Sequence, residues 1–102
     1  MTMSIEALTE EIRRRASQNP KLGYRLKFEL AEGGVILWDG TELSPAIGNE
    51  DGEADTTIRL SSENLQKLIA GELDPTLAYM TGKIKIEGSM GVALKLASML
   101  GD

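Results

Sequence analysis

The segment from Met90 to Leu100 constrains the fold more than any other stretch. Ser89 precedes it as a cap, Gly101 ends it, and Met90, Val92, Ala93, Leu94, Leu96, Ala97, Met99 and Leu100 are apolar. Only Lys95 and Ser98 are polar, with Gly91 between. A helix on the surface of a globular domain needs an apolar stripe of only about 100°. On a helical wheel this one is apolar over most of its circumference. It is therefore either the central helix of a core or the wall of an apolar space filled by something other than protein, and both readings stand at this point. Met is 5 of 102 residues, with Met80, Met90 and Met99 in the last quarter, while aromatic residues are 4%. Flexible thioethers suit a pocket that adapts to its contents, although they fill ordinary cores as well.

The rest of the chain supplies what this helix packs against. Ser4 to about Asn19 reads as a helix, with Ile5, Leu8, Ile12 and Ala16 at helical spacing and Pro20 ending it. Tyr24, Leu26, Phe28 and Leu30 alternate with Arg25, Lys27 and Glu29, the pattern of a strand with one wet face. Gly33-Gly34 turns the chain into Val35-Ile36-Leu37-Trp38, completing a hairpin. That second strand is apolar on both faces, so its outer face is expected to be covered by a helix or another chain. A short strand near Leu43–Gly48 and a strand over Asp55–Leu60 follow. Ser61 caps a helix carrying Leu65, Leu68 and Ile69, and Gly71 lies past its end. Asp74-Pro75 is a cap followed by Pro at the first helical position, which starts a short helix that stops at Gly82. Lys83-Ile84-Lys85-Ile86-Glu87 is a strand with its isoleucines on one face.

Strands segregated from helices imply an α+β domain, with an antiparallel-rich sheet covered on one face. No linker or repeat divides the chain, so residues 1–102 read as one domain. Without His or Cys, the usual general base, the commonest metal ligand and any thiol nucleophile are excluded. No catalytic constellation is left, and neither a metal nor a cofactor is expected. Net charge is −5, and residues 31–60 hold seven acids against Arg59, the opposite of what nucleic-acid binding requires. Arg13, Arg14 and Arg15 read as a solvated helix face, with transient contact to an anionic membrane as the minority reading. With no secretory signal and no spanning apolar run, the expected location is cytoplasmic.

Two local motifs fail on inspection. Placing Gly52 of Asn49–Asp55 at the sixth position of a calcium loop puts Ile47 and Ile58 where carboxylates are needed. Gly88-Ser89-Met90-Gly91 has the spelling of an RNA-clamping loop, but it joins a strand to a helix in an acidic chain. Trp38 has two readings. If Val35 and Leu37 face the core, Ile36 and Trp38 form an outward face suited to a homodimer; with the opposite parity Trp38 is core.

The residues Gly71, Leu73, Pro75, Ala78, Tyr79, Gly82, Lys83, Ile84, Lys85, Ile86, Gly88, Met90, Ala93, Lys95 and Leu96 resemble the closing signature of the sterol carrier protein type 2 domain family. Ala54-Asp55-Thr56-Thr57-Ile58 resembles that family's preceding strand, and Tyr24–Gly40 fits its first hairpin. The resemblance implies about five strands, mainly antiparallel, with helices on one side and a hydrophobic tunnel between. It implies non-catalytic binding or transfer of an apolar lipid such as a sterol, fatty acid or fatty acyl-CoA, or presentation of that lipid to a partner enzyme. Matching positions suggest a lining of Met80, Ile84, Ile86, Met90, Leu94 and Ala97, with Leu68 and Ile69 nearby. Thr81 stands where many members have Gln, which shortens a polar contact to a ligand head group. The ending Leu100-Gly101-Asp102 lacks the peroxisomal tripeptide of several eukaryotic members. The chain thus reads as a stand-alone, bacterial-type member.

Overall fold

Among the described residues, nine elements follow in an order that places the helices on the same side of one sheet. A computed structural model describes residues 4–18, 23–41 and 46–100. The elements are α1 (Ile5–Ala16), β1 (Arg25–Leu30), β2 (Val35–Asp39), β3 (Ala46–Gly48), β4 (Thr56–Leu60), α2 (Ser62–Ile69), α3 (Pro75–Met80), β5 (Lys85–Gly88) and α4 (Met90–Leu100). Local chemistry sets most boundaries. Ser4, Ser61 and Asp74 each accept a backbone N–H in the first turn of the following helix, satisfying donors the helix itself leaves open. Ser89 does the same for α4, accepting from the Val92 N–H. The expected strand near 43–48 appears as β3, while its positions 43–45 lie outside the described residues.

The sheet order is β3-β2-β1-β4-β5. Three pairings are antiparallel, and the central one, β1 with β4, is parallel. Leu26, Phe28 and Leu30 stand opposite Thr56, Ile58 and Leu60 across that pair, and Ile58 stands opposite Ile86. Paired residues share a face, so one side of the sheet is apolar from edge to edge. All of these except Ile86 are buried. Leu8, Ile12 and Ala16 of α1, Leu65, Leu68 and Ile69 of α2, Ala78 of α3, and Ala93, Leu96, Ala97 and Leu100 of α4 close over this side.

The parity of β2 corrects one expectation. Leu26 is opposite Trp38 and Phe28 opposite Ile36, so both β2 residues share the buried side of β1. Ile36 and Trp38 are 0% and 1% exposed and offer no outward face for a homodimer. Apolar residues on both faces of β2 left its parity open; the clear alternation of β1 decides it through the hairpin register. Part of the outer face of β2 is covered by the protein's own loop after β3. A side chain at Gly52 would sit 3.2 Å from Leu37 Cδ2, and Asp51 pairs with Lys27 of β1 at 2.7 Å. The Lys27 hydrogen bond holds the Asp51 carboxyl below its usual range.

The arginine run is more than a solvated face. Arg13 Nη2 donates to the Ile47 carbonyl of β3 at 2.8 Å, which ties α1 to a sheet edge and occupies an acceptor that would otherwise be free to pair with another strand. Asn49 adds a second tie, donating to Thr9 Oγ1 and to the Val35 carbonyl.

Candidate functional site

The corner formed by α2, α3, α4, β4 and β5 holds the side chains on which a ligand reading depends. The helix α4 lies over β4 and β5 and packs against α2 and α3. Its Ala93 and Ala97 are buried, and small side chains there let the helix approach the sheet closely. The loop before it is held from both sides. Thr56, buried at the start of β4, accepts from the Ser89 N–H at 3.2 Å. Gly88 turns at φ +104°, and a Cβ there would run into the Asp55 carbonyl oxygen.

The structure divides the nine sequence-predicted ligand residues into three groups. Leu68, Ile69, Ile84 and Ala97 are buried at 5% exposure or less. Ile86 and Leu94 are partly buried. Met80, Thr81 and Met90 are exposed, and the Thr81 hydroxyl is engaged in closing α3, donating to the Leu77 carbonyl at 2.8 Å. No water-sized void opens on Leu68, Ile84 or Ala97, each about 1% accessible. The interior is therefore closed at these positions. The physical reason is one of scale: an unfilled void of about 300 Å3, the lower end for a ligand site, costs roughly 7 kcal/mol. That rivals the whole stability of a small domain, about 5–15 kcal/mol.

Outside the closed interior, Leu77 and Met80 of α3 and Met90 at the start of α4 are 59%, 73% and 41% exposed. The two methionines are thus exposed, and Leu77, which was not among the sequence-predicted positions, is exposed on the same helix as Met80. Trp38 carries an oddity of another kind. Its Nε1–H is buried with no hydrogen-bond partner among the described residues, an arrangement that costs roughly 1–3 kcal/mol.

A groove of about 530 Å3 opens at the end of the sheet where β1 and β4 finish. Its walls are Glu29, Arg59, Lys83 and Lys85 together with Ser61, Asn64 and Gly82, over Leu30 and Leu60. Arg59 bridges Glu29 at 3.3 Å and Glu87 at 2.6 Å, and hydrogen bonds to Glu29 first and Glu87 second raise its pKa. Asn64 Nδ2 donates to the Lys83 carbonyl at 3.2 Å, joining α2 to the segment before β5. Lys83 and Lys85 are part of the family signature in the sequence, which gives them no role of their own; their groove neighbours come from β1, β4 and α2. Close by, the Glu32 carboxylate accepts from the Ser62 N–H and hydroxyl. The backbone hydrogen bond is the main reason its pKa is lowered. Among the described residues, no group of acids could hold a metal ion, and no helix is long and apolar enough to cross a membrane.

Comparison with known proteins gives a consistent result. The model of the SCP-2 sterol transfer family matches residues 5–101. A hydroxysteroid dehydrogenase-like protein 2 from Xenopus laevis is 44% identical over 55 residues, covering 54% of this chain and 13% of that protein. Matches to proteins of this name in other vertebrates cover up to 19% of their length. The sterol carrier protein domain 2 of Helicoverpa armigera is 26% identical with a TM-score of 0.71, over 98% of this chain and 91% of that one. The palmitated SCP2L2 of Aedes aegypti is 26% identical with a TM-score of 0.66, over 98% and 96%.

Proposed function

The chain belongs to the SCP-2 sterol transfer family, and on that premise we propose that it binds a single apolar lipid between α4 and the β4–β5 side of the sheet and carries it without catalysing a reaction. The observation that carries this reading is α4 itself. Its buried face of Ala93, Leu96, Ala97 and Leu100 is continuous, while Met90 at its start is exposed, as are Leu77 and Met80 of α3, which packs against α4. An apolar surface reaches the edge of an apolar interior there, at a helix whose small side chains leave room when it moves.

The empty protein keeps this interior closed, and the ligand opens it. Each methylene transferred from water contributes about 0.8 kcal/mol, so a tail of about ten methylenes brings roughly 8 kcal/mol before binding costs. That is enough to offset the displacement of α4 and α3 by a modest distance, whereas a permanently open void would consume most of the fold's stability. The palmitated relative of the same fold supports a single acyl chain as a ligand class. Leu77, Met80 and Met90 are the surface offered to the donor membrane during loading. A cytoplasmic setting suits such a carrier.

The experiment is native mass spectrometry of gently purified protein, followed by displacement with a fluorescent fatty acid. A one-to-one lipid adduct that the fatty acid displaces is the expected result. Absence of binding across fatty acids, sterols and acyl-CoA would refute the reading.

A second reading rests on the relatives' lengths. The matched stretch is only 13 to 19% of the hydroxysteroid dehydrogenase-like proteins, so the same unit here would present its lipid to an enzyme. Lipid-dependent co-purification of an enzyme with the wild-type chain, lost in a variant that binds no lipid, is the outcome that favours presentation over free transfer.

A further inference from the structure

Among the described residues Lys83, Lys85 and Lys95 are lysines without a carboxylate partner, and two of them meet in the groove at the end of the sheet. Arg13, Arg14, Arg25, Lys27, Arg59 and Lys67 each pair with a carboxylate. Lys83 and Lys85 have no carboxylate partner among the described residues, and both line the groove. Arg59, Lys83 and Lys85 line the groove together with Glu29, in a chain whose net charge is −5. Arg59 is already shared between Glu29 and Glu87, which leaves Lys83 and Lys85 as the groove's cations without a carboxylate partner. Below this rim the floor is apolar, because Leu30 and Leu60 belong to the hydrophobic core. Ile84, between the two lysines in sequence, is buried in that same core. One short segment thus presents cations to the groove and an apolar side chain to the interior.

Building on the lipid-binding reading above, we propose that this groove is the headgroup subsite of an anionic single-chain lipid. A carboxylate or phosphate sits between Lys83 and Lys85, and the tail passes behind them along Ile84. The start of α2 and the Gly82–Lys85 segment both line the groove and are joined by the Asn64–Lys83 hydrogen bond. A neutral lipid gains nothing from the lysines, so the arrangement selects for an anionic end and leaves chain identity loosely specified.

The test uses dodecyl phosphate, dodecanol and inorganic phosphate, titrated calorimetrically below micelle-forming concentrations into the wild-type protein and the Lys83→Gln/Lys85→Gln variant. The wild type should bind dodecyl phosphate about tenfold more tightly than dodecanol, as two exposed cations near one anion imply. The double variant should lose that preference, retain dodecanol binding and melt at the wild-type temperature, since both lysines are exposed. Raising the salt to about 1 M, where screening reaches about 3 Å, should shrink the wild-type preference in the same way. Equal wild-type affinity for the two chains, or a preference that survives the double substitution, would overturn the headgroup site while leaving the lipid reading intact. Inorganic phosphate binding as tightly as dodecyl phosphate would overturn it in favour of a free-anion site. Failure of both chains to bind would remove the lipid reading, and the subsite with it.

Discussion

Ile84 and Ile36 offer a matched pair that separates a ligand-lining residue from an ordinary core residue. Both are isoleucines at 1% and 0% exposure on the helix-facing side of the sheet. Ile84 directly precedes β5, and Ile36 lies on β2, three places away in the strand order. Neighbouring strands lie about 4.8 Å apart, so about 14 Å separates them across the sheet. Replacing either with Ala removes the same atoms and is expected to cost about 2–5 kcal/mol in the empty protein. For a domain of this size each kcal/mol lowers Tm by about 4–8 °C. Ligand should treat the two differently. A tail lying against β5 fills the space left at residue 84 and recovers part of the lost burial, about 0.8 kcal/mol for each methylene that finds a place. It cannot reach residue 36. The assay is thermal unfolding with and without a saturating fatty acid. The lipid-induced rise in Tm should be larger for Ile84→Ala than for wild type, and the same as wild type for Ile36→Ala. Equal rises in all three proteins, or the larger rise at residue 36, would refute the placement of the tail.

Other consequences follow from the same contacts. Gly88→Ala should destabilise the fold by more than about 2 kcal/mol in urea titration, because left-handed backbone alone costs a non-Gly residue about 1–2 kcal/mol and the Asp55 carbonyl blocks the new Cβ. Thr56→Val keeps the shape but removes the hydroxyl that accepts from Ser89; a loss of about 1 kcal/mol is expected from the missing hydrogen bond, with early amide exchange at the start of α4. Glu32 titrates below its ordinary 4.5 in the folded protein, so the folded state binds fewer protons than the unfolded one just below that pH. Its stabilisation is complete above the unfolded value and disappears as pH falls through the lower folded value. Urea midpoints measured across this acid range should show a shallower decline for Glu32→Gln than for wild type.

The parts of the fold that were legible in the sequence are those determined within a few residues. Ser4, Ser61, Asp74-Pro75 and Ser89 mark helix starts through hydrogen bonds that close in the first turn. The alternation over residues 24–30 identifies β1 and its buried face directly. What was not legible depends on partners distant in sequence. The parallel pairing of β1 with β4 joins residues about thirty positions apart. The inward turn of Ile36 and Trp38 depends on register, since β2 is apolar on both faces. The cover over Leu37 is a polar loop whose Gly52 gives no apolar signal. The same limit applies to the site. Of the positions the family resemblance suggests, Leu68, Ile84 and Ala97 are buried. It did not foretell that Met80 and Met90 are exposed, because burial depends on how α3 and α4 sit together. The pairing of Lys83 and Lys85 with a groove built from β1, β4 and α2 is likewise a product of tertiary structure.

The central claim is that a lipid tail lies inside the domain, between α4 and the β4–β5 side of the sheet. The most direct measurement is methyl NMR of the protein titrated with a stearate carrying a nitroxide near the end of its chain. The account predicts saturable one-to-one broadening centred on the methyl groups of Leu68, Ile84, Leu94 and Ala97, with Ile36 little affected. Broadening confined to the exposed Leu77, Met80 and Met90, or none at any concentration below micelle formation, would contradict it.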